Sequence, residues 1–273
     1  MRISFGTPLK KRVKALTEKS GVNGLEKFTL RQEDDLTTVC YYPSEKKKTD
    51  IGIVIFPGGG YRNLAKHEGE AYARRFNDWG IAAFVVEYRV FPHHFPSQLL
   101  DARDAICFVR SNAERFGINK EKILAMGSSA GGHLVSLLCN YHQAIHTDKS
   151  VQKEQYLPNG QILCYPVISS KAGIEHQRSF QALLGDLYET KDEYSPEVLV
   201  DKDTPPAFIW HTAEDKTVSY LNSIAYANAL IKKDIDCELH IFPNGEHGLG
   251  LALSDPHVAQ WMDLLCNWLK KFY

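Results

Sequence analysis

The sequence has little excess charge and no long apolar run. Its 273 residues include 32 lysines and arginines and 33 aspartates and glutamates, which gives a formal net charge of −1. Such a balance offers no electrostatic reason to expect nucleic acid or an anionic membrane as a partner. No stretch reaches the ~18 apolar residues of a membrane span, and residues 1–6 lack the apolar core of a signal peptide. We therefore expect a cytoplasmic protein without a membrane or nucleic-acid partner.

The sequence also lacks the Cys-x-x-Cys pair that is typical of zinc and redox sites. Its six cysteines are scattered, and most lie inside apolar runs, which indicates reduced thiols packed in a core. None of them lies in a turn flanked by glycines, and this argues against a cysteine nucleophile. No pattern indicates a metal, flavin or nucleotide site, so we expect no cofactor.

Strand and helix patterns alternate along most of the chain. Short apolar runs bounded by turn residues predict buried strands, and apolar residues at every third or fourth position predict helices. The predicted strands are residues 26–31, 37–42, 51–56, 81–87, 122–126, 161–165, 207–211 and 238–242. From residue 51 onward the alternation predicts an α/β fold, with a mostly parallel sheet covered by helices on both faces.

We interpret residues 1–273 as a single domain, because no linker, repeat or low-complexity segment interrupts the alternation. Residues 1–24 are polar, include a cluster of lysines and arginines, and are assigned only as an N-terminal surface arm. An apolar stripe from Leu99 to Phe116 predicts one long helix that ends at Gly117.

Residues 127–131 have the sequence Gly-Ser-Ser-Ala-Gly, between a predicted strand and a helix pattern. A nucleophilic serine requires this context, because small neighbours allow the strained turn on which it sits. Ser129 is centred between the two glycines and is the candidate nucleophile, whereas Ser128 is the weaker alternative. The geometry would aim the N–H of Ala130, at the start of the helix, towards a developing oxyanion. Glycine and serine are ordinary turn residues, so the motif needs support from other parts of the chain.

Residues 57–61 have the sequence Pro-Gly-Gly-Gly-Tyr and follow a predicted strand directly. Consecutive glycines allow backbone N–H groups to approach a ligand without side-chain obstruction. The N–H groups of Gly59 and Gly60 could therefore complete an oxyanion hole with Ala130. A plain flexible turn and a phosphate-binding loop are the alternatives, although the Gly-Lys-Ser/Thr ending of a P-loop is missing.

Two later strand ends supply an acid and a histidine. Asp215 follows the predicted strand 207–211, where a short, fixed carboxylate could hold the tautomer of a histidine, and Glu214 is the neighbouring alternative. His247 lies in a glycine-containing loop after the last predicted strand. The chain order of Ser129, Asp215 and His247 is serine, acid, histidine, and this order favours a catalytic triad.

As a group, these motifs resemble the α/β-hydrolase superfamily in its esterase and lipase branch. Within it, the chain most resembles small bacterial carbohydrate-esterase-like hydrolases, a group that includes acetyl, xylan and feruloyl esterases. The resemblance extends from about residue 51 to the C-terminus, in residues 56–61, 67–70, 87–90, 127–133, 165–169, 204–206, 210–215 and 245–250. In the hormone-sensitive-lipase-like branch a histidine precedes the three glycines, whereas Pro57 stands there in this chain. The substrate range of that branch is therefore not carried over.

The resemblance implies an α/β-hydrolase fold and a serine carboxylesterase that needs no cofactor. Ser129 would be the nucleophile, His247 the general base and then acid, and Asp215 the residue that orients the histidine. The oxyanion donors would be the N–H groups of Gly59, Gly60 and Ala130. The implied substrates are short-chain esters, in particular acetyl esters of sugars or small alcohols. Amide or formamide, lactone and acyl-peptide hydrolysis would use the same groups and stay open, and a binding-only descendant would be expected to have lost a triad residue.

Residues of about 167–203 are predicted to form a small lid-like insertion near the site. The segment is too short for a large lipase-like cap, which favours short acyl chains. Tyr61, Tyr88 and Phe91 are candidates for an aromatic wall against a sugar ring, with packing in the core as the equally weighted alternative. The oligomeric state stays open, a homodimer included.

Overall fold

A computed structural model describes residues 17–19, 25–30, 37–46, 48–142 and 151–272. Most of the predicted N-terminal arm, residues 1–24, therefore lies outside the described residues. Within the arm, Thr17–Lys19 is a strand that pairs with Glu26–Thr29. None of the helices in the described ranges is both long and apolar enough to cross a membrane.

The described strands form one sheet of nine strands in the spatial order β1-β2-β3-β5-β4-β6-β7-β8-β9. The pairs β1–β2, β2–β3 and β3–β5 are antiparallel, and the remaining pairs are parallel. The strands are β1 Thr17–Lys19, β2 Glu26–Thr29, β3 Thr38–Tyr42, β4 Gly52–Phe56, β5 Ala82–Glu87, β6 Ile123–Ser128, β7 Gly160–Cys164, β8 Ala207–Thr212 and β9 Cys237–Phe242. The predicted, mostly parallel sheet is confirmed.

The central strands are apolar on both faces because both faces are covered. In β4, Val54 and Phe56 pack into one hydrophobic cluster, whereas Ile53 and Ile55 pack into a second cluster on the other face. Successive side chains of a strand point to opposite faces, so a strand between two cores has no position that faces solvent. This explains why the runs in β4, β6, β7 and β8 are buried at every residue.

Helices cover both faces of the sheet. The α-helices of the described residues are α1 Glu70–Asp78, α2 Ser97–Ser111, α3 Ala113–Phe116, α4 Ala130–Asn140, α5 Lys153–Tyr156, α6 Gln177–Leu184, α7 Pro196–Leu199, α8 Leu221–Ile231 and α9 Trp261–Leu269. Apolar residues of α1 and α9 belong to the cluster on one face, and those of α2, α4 and α8 belong to the cluster on the other.

The apolar stripe from Leu99 to Phe116 forms two helices instead of the predicted single one. The break lies at Asn112, whose backbone has φ −110° and ψ 18° and whose side-chain amide donates to the carbonyl of Phe108 at 2.8 Å. A side chain that bonds to the preceding turn competes with continuation of the helix. Gly117 ends α3 in the left-handed region, with φ +63°, as the sequence predicted.

The parallel strands place four loops at one edge of the sheet. The segments that follow β4, β6, β8 and β9 contain, respectively, the glycine run 57–61, Ser129, Asp215 and His247. Because the carboxyl ends of parallel strands share an edge, residues that are far apart in the sequence can meet there.

Candidate active site

Ser129 lies on a strained turn between β6 and α4. Its φ of +52° and ψ of −119° are a conformation that residues with side chains rarely adopt. A Cβ at Gly127 would overlap the carbonyl oxygen of Gly131, and a Cβ at Gly131 would overlap that of Phe56. The backbone of Ser129 is held on both sides, since its N–H donates to Cys164 O at 2.9 Å and its carbonyl accepts from Val167 N at 3.0 Å. The close packing explains why both flanking residues are glycine.

His247 contacts both of its predicted partners. Its Nε2 lies 2.9 Å from Oγ of Ser129, and its Nδ1 lies 2.6 Å from Oδ2 of Asp215. A carboxylate only accepts hydrogen bonds, so Nδ1–H donates to Asp215 and Nε2 is left to accept the hydroxyl proton of Ser129. The structure thus brings His247 into contact with Asp215 and Ser129, which lie 32 and 118 positions before it in the sequence.

Asp215 is buried and surrounded by donors. Its Oδ1 accepts the N–H groups of Thr217 at 2.8 Å and Val218 at 2.9 Å. Burial raises the pKa of Asp215, but hydrogen bonds from His211 and His247 outweigh burial and hold it well below its usual range. The carboxylate therefore stays ionised at neutral pH and can stabilise a positive charge on His247.

Glu214, the alternative acid, contacts the backbone near His247 and not the imidazole ring. It is exposed, and its Oε2 accepts the N–H of Gly245 at 3.0 Å, two residues before His247. Among the described residues, Asp215 is the carboxylate in contact with the His247 ring. Glu214 instead fixes the backbone of residues 243–250, the histidine loop, which contains His247.

The glycine run lies against the serine. A Cβ at Gly58 would come within 2.8 Å of Ser128 O and 3.0 Å of the Ser129 Cβ. Gly59 and Gly60 have φ values of +121° and +64°, which glycine adopts without strain. Ala130 is the first residue of α4, where N–H groups have no partner inside the helix. The oxyanion role of these N–H groups stays a prediction, supported by this proximity.

The predicted aromatic wall is wrong for two of its three members. Tyr61 and Tyr88 are 0% and 2% exposed, so neither ring is open to a substrate. The Tyr88 hydroxyl donates to Pro57 O at 2.6 Å, and the Tyr61 hydroxyl lies 2.8 Å from Nδ1 of His133. Tyr88 thus holds the start of the glycine run, and Tyr61 joins the end of the run to α4. Phe91, in contrast, is 48% exposed.

Residues 167–203, which the sequence analysis predicted to be a lid-like insertion, pack beside the site. This insertion contains α6, a 3₁₀ segment Gly185–Tyr194, and α7. His133 in α4 anchors it, because its Nε2–H donates to Tyr194 O at 3.0 Å. The start of α6 reaches the glycine run: Oγ of Ser179 lies 3.7 Å from where a Cβ on Gly60 would be, and His176 Nδ1 lies 2.7 Å from that Oγ.

Sequence reasoning missed two polar residues, His211 and Glu68. His211 is completely buried, and its Nε2–H points at Asp215 Oδ2 at 3.2 Å and at Val218 O at 2.9 Å. Glu68 is also buried, and it accepts the N–H of Gly58 at 2.8 Å. His211 stands at the end of an apolar strand, and only its position four residues before Asp215 could have indicated a contact.

The described residues contain no group of three or more histidines, cysteines, aspartates or glutamates that could hold a metal ion. The six cysteines are free thiols; Cys107, Cys139 and Cys164 are buried, and the other three are partly buried. Burial raises the pKa of Cys164, beside the serine, to about 12. That thiol is therefore protonated at neutral pH and is not a competing nucleophile.

Residues 39–230 match the family described as BD-FAE. Two curated relatives are endo-1,4-beta-xylanase B from Butyrivibrio fibrisolvens, 37% identical over 81% of this chain, and an acetylxylan esterase from Xylanibacter ruminicola, 34% identical over 90%. The chain spans 36% of the first relative and 50% of the second, about half of their length or less.

Solved structures agree with the fold over nearly the whole chain. An acetyl ester-xyloside bifunctional hydrolase from Caldicellulosiruptor lactoaceticus is 39% identical, with a TM-score of 0.77 over 86% of this chain and 88% of its own. An alpha/beta hydrolase from a Medee basin deep-sea metagenome library is 30% identical, with a TM-score of 0.74 over 90% of this chain and 96% of its own. The chain therefore belongs to the BD-FAE family and is an esterase-like α/β-hydrolase.

Proposed function

We propose that this protein is a serine esterase that cleaves short-chain carboxylic esters through Ser129, His247 and Asp215. One observation carries the proposal: the imidazole of His247 lies between Ser129 Oγ, at 2.9 Å, and Asp215 Oδ2, at 2.6 Å. A hydroxyl, an imidazole and a buried carboxylate in this sequence of contacts form a proton relay that activates the serine.

In the proposed reaction, Ser129 Oγ attacks the ester carbonyl while its proton moves to Nε2 of His247. The negative charge that develops on the carbonyl oxygen is stabilised by the N–H groups of Gly59, Gly60 and Ala130. The imidazolium then gives its proton to the departing alcohol, which leaves an acyl group on Ser129. A water molecule, deprotonated by His247, hydrolyses this acyl-enzyme and releases the acid. Throughout, Asp215 remains ionised and stabilises the charged imidazole.

We propose acetyl esters of sugars, or of small alcohols, as the substrate class. The names of two relatives support this choice, an acetylxylan esterase and an acetyl ester-xyloside bifunctional hydrolase. The insertion 167–203 supports it too, because its helix α6 packs Phe180, Leu183 and Leu184 into the core. A helix that buries its apolar residues in this way presents no apolar face of its own to a long acyl chain.

A substrate panel tests the proposal. Purified protein is assayed with p-nitrophenyl esters of increasing acyl length, with acetylated xylo-oligosaccharides, and with matched amides, N-formyl compounds and lactones. We expect the highest kcat/KM for acetyl esters, and we expect Ser129→Ala to abolish turnover. Ser111→Ala, at the exposed end of α2, is the matched control and should leave activity unchanged. Turnover by Ser129→Ala, or a preference for amides, would contradict the proposal.

A further inference from the structure

A buried carboxylate lies between the glycine run and the histidine loop, and the reaction described above does not use it. Glu68 ends the 3₁₀ turn Lys66–Glu68 and is 2% exposed. In the part of the chain that the structure describes, its ion-pair contact is with the exposed His67, at 3.8 Å. Burying a carboxylate costs free energy unless hydrogen bonds satisfy its oxygens, so the donors around Glu68 indicate why it can be buried.

The two oxygens of Glu68 bind donors from two different parts of the chain. Oε2 accepts the N–H of Gly58 at 2.8 Å, and Oε1 accepts the hydroxyl of Tyr165 at 2.7 Å. Gly58 belongs to the run that lies against Ser129, whereas Tyr165 directly follows β7. Burial raises the pKa of Tyr165 well above its ordinary value, so this hydroxyl keeps its proton and donates a hydrogen bond to the carboxylate.

Tyr165 extends the connection to the histidine loop. Its hydroxyl oxygen accepts the N–H of Gly250 at 3.0 Å, three residues after His247. Its ring packs edge to face against the His247 imidazole, with centroids 5.1 Å apart. The chain of contacts from Gly58 through Glu68 and Tyr165 to Gly250 therefore runs from one proposed catalytic loop to the other.

A second link runs in parallel with the first. Nε2–H of His67, the neighbour of Glu68, donates to Gly248 O at 3.0 Å. The hydroxyl of Tyr72 lies 3.2 Å from the Tyr165 hydroxyl and 3.3 Å from Ser128 Oγ, which joins the serine turn to the same network.

The sheet does not provide this connection by itself. The glycine run follows β4 and the histidine loop follows β9, and β6, β7 and β8 lie between them. At about 4.8 Å per strand, four strand spacings separate the two strands by roughly 19 Å. Catalytic groups must hold their relative positions to within about 0.5 Å. A direct bridge between the two loops would help to keep them in place.

We propose that Glu68 is a positioning residue, whose carboxylate fixes the glycine run relative to the histidine loop so that the oxyanion donors and His247 act on one carbonyl. Glu68 contacts no reacting atom and acts through Gly58 and Tyr165. This inference rests on the proposed function, because it assigns Glu68 a part in the same reaction.

The test compares Glu68→Gln and Tyr165→Phe with wild-type protein. Glutamine keeps the shape but removes the charge and one acceptor, and phenylalanine removes the hydroxyl that joins Glu68 to Gly250. We expect each variant to lose roughly tenfold in kcat with KM within about twofold, the size expected for one weakened charged hydrogen bond. The double variant should lose no more than about the larger single loss, because both changes break one bridge.

The readouts separate positioning from simple loss of folded protein. Active-site titration with a fluorophosphonate gives kcat per active serine, so a smaller folded fraction does not lower it. Inhibition by a trifluoromethyl ketone, which places an oxyanion among the N–H donors, should weaken by the same factor as kcat. Glu70→Gln, an exposed glutamate two residues further on, and Tyr42→Phe, in β3, are the matched controls and should leave both values unchanged.

Each outcome decides the inference. A kcat per active serine in Glu68→Gln equal to that in Glu70→Gln overturns it. If Glu68→Gln does not fold, Tyr165→Phe decides, and a normal kcat in that variant overturns the inference. If wild-type protein cleaves no ester, the proposed function fails. The rate of fluorophosphonate labelling of Ser129 then replaces kcat in the comparison of Glu68→Gln with Glu70→Gln.

Discussion

His211 and Asp215 form a completely buried pair beside the proposed catalytic histidine. The Nε2–H of His211 lies 3.2 Å from the same Oδ2 atom that His247 contacts at 2.6 Å, and its Nδ1 accepts the hydroxyl of Ser223 at 2.8 Å. Asp215 is therefore oriented by the strand that precedes it as well as by its loop. The same carboxylate oxygen therefore contacts both the proposed catalytic histidine and His211.

This pair predicts a change in stability that exceeds the change in activity. His211→Leu removes a buried donor and leaves Ser223 Oγ and Asp215 with fewer partners. We expect a loss of about 2 kcal/mol in the free energy of unfolding, measured by urea titration. The kcat should fall only a few-fold, because His247 and the N–H groups of Thr217 and Val218 still hold Asp215. A thousandfold loss of kcat with normal stability would instead place His211 in the proton relay.

Replacing the Asp215 carboxylate should instead lower kcat much more than it lowers stability. Asp215→Asn keeps the shape but presents an amide to His247 Nδ1, which favours the wrong tautomer. We expect kcat to fall by about 10³ to 10⁴ with KM changed little, as in other serine hydrolases of this design. Glu214→Gln is the matched control on the neighbouring residue, and its loss should be less than about tenfold. Equal losses in the two variants would contradict the assignment of Asp215.

The sequence predicted the sheet and the three distant side chains for a physical reason. Strands between two cores are largely apolar, as β4 is throughout and β8 is from Ala207 to Trp210, and reactive residues follow such strands at one edge. The same reasoning could not place Tyr61 and Tyr88, because an aromatic residue beside a glycine loop looks alike whether its ring is exposed or buried. Their burial follows from contacts made across the fold, such as that between Tyr61 and His133.

The contacts of Glu68 could not be predicted from the sequence for a related reason. Glu68 and Tyr165 are 97 positions apart, and nothing local to either residue indicates a partner. Local patterns report which face of an element is buried, whereas a hydrogen bond between two loops depends on how the whole sheet twists and orders its strands. The helix break at Asn112 is a smaller example, since a side-chain bond to Phe108 O decides it.

The glycines at the serine turn should tolerate no side chain. Gly131→Ala would place a methyl group into the carbonyl of Phe56 in β4, a backbone atom that cannot move away cheaply. We expect little folded protein, or a loss of several kcal/mol in unfolding free energy. Gly173→Ala is the control for the steric effect, because a Cβ at Gly173 meets nothing within 4 Å and only its positive φ, +88°, opposes a side chain. Its cost should be about 1 kcal/mol, and equal costs at both positions would contradict the steric explanation.

His133 should make the protein less stable as the pH falls. Its ring is buried, with Nδ1 accepting from the Tyr61 hydroxyl and Nε2–H donating to Tyr194 O. Burial lowers its pKa from 6.5 to about 4, against the smaller opposing effect of the bond to Tyr194 O. Between these two values the unfolded chain binds the proton and the folded chain does not. The stability contributed by neutral His133 is therefore complete above pH 6.5 and is lost as the pH falls towards 4.

The measurement is urea unfolding of wild-type protein and His133→Gln between pH 7 and pH 4. A shift of this size corresponds to roughly 3 kcal/mol, so the wild-type stability should fall by about that much more than that of the variant. The low pKa of Asp215 and the lowered pKa of His176 also destabilise the folded state at acid pH, but they are common to both proteins and cancel in the comparison. Parallel stability curves would show that the buried ring takes up its proton without cost. In that case His133 does not fix the insertion to α4 through a neutral imidazole.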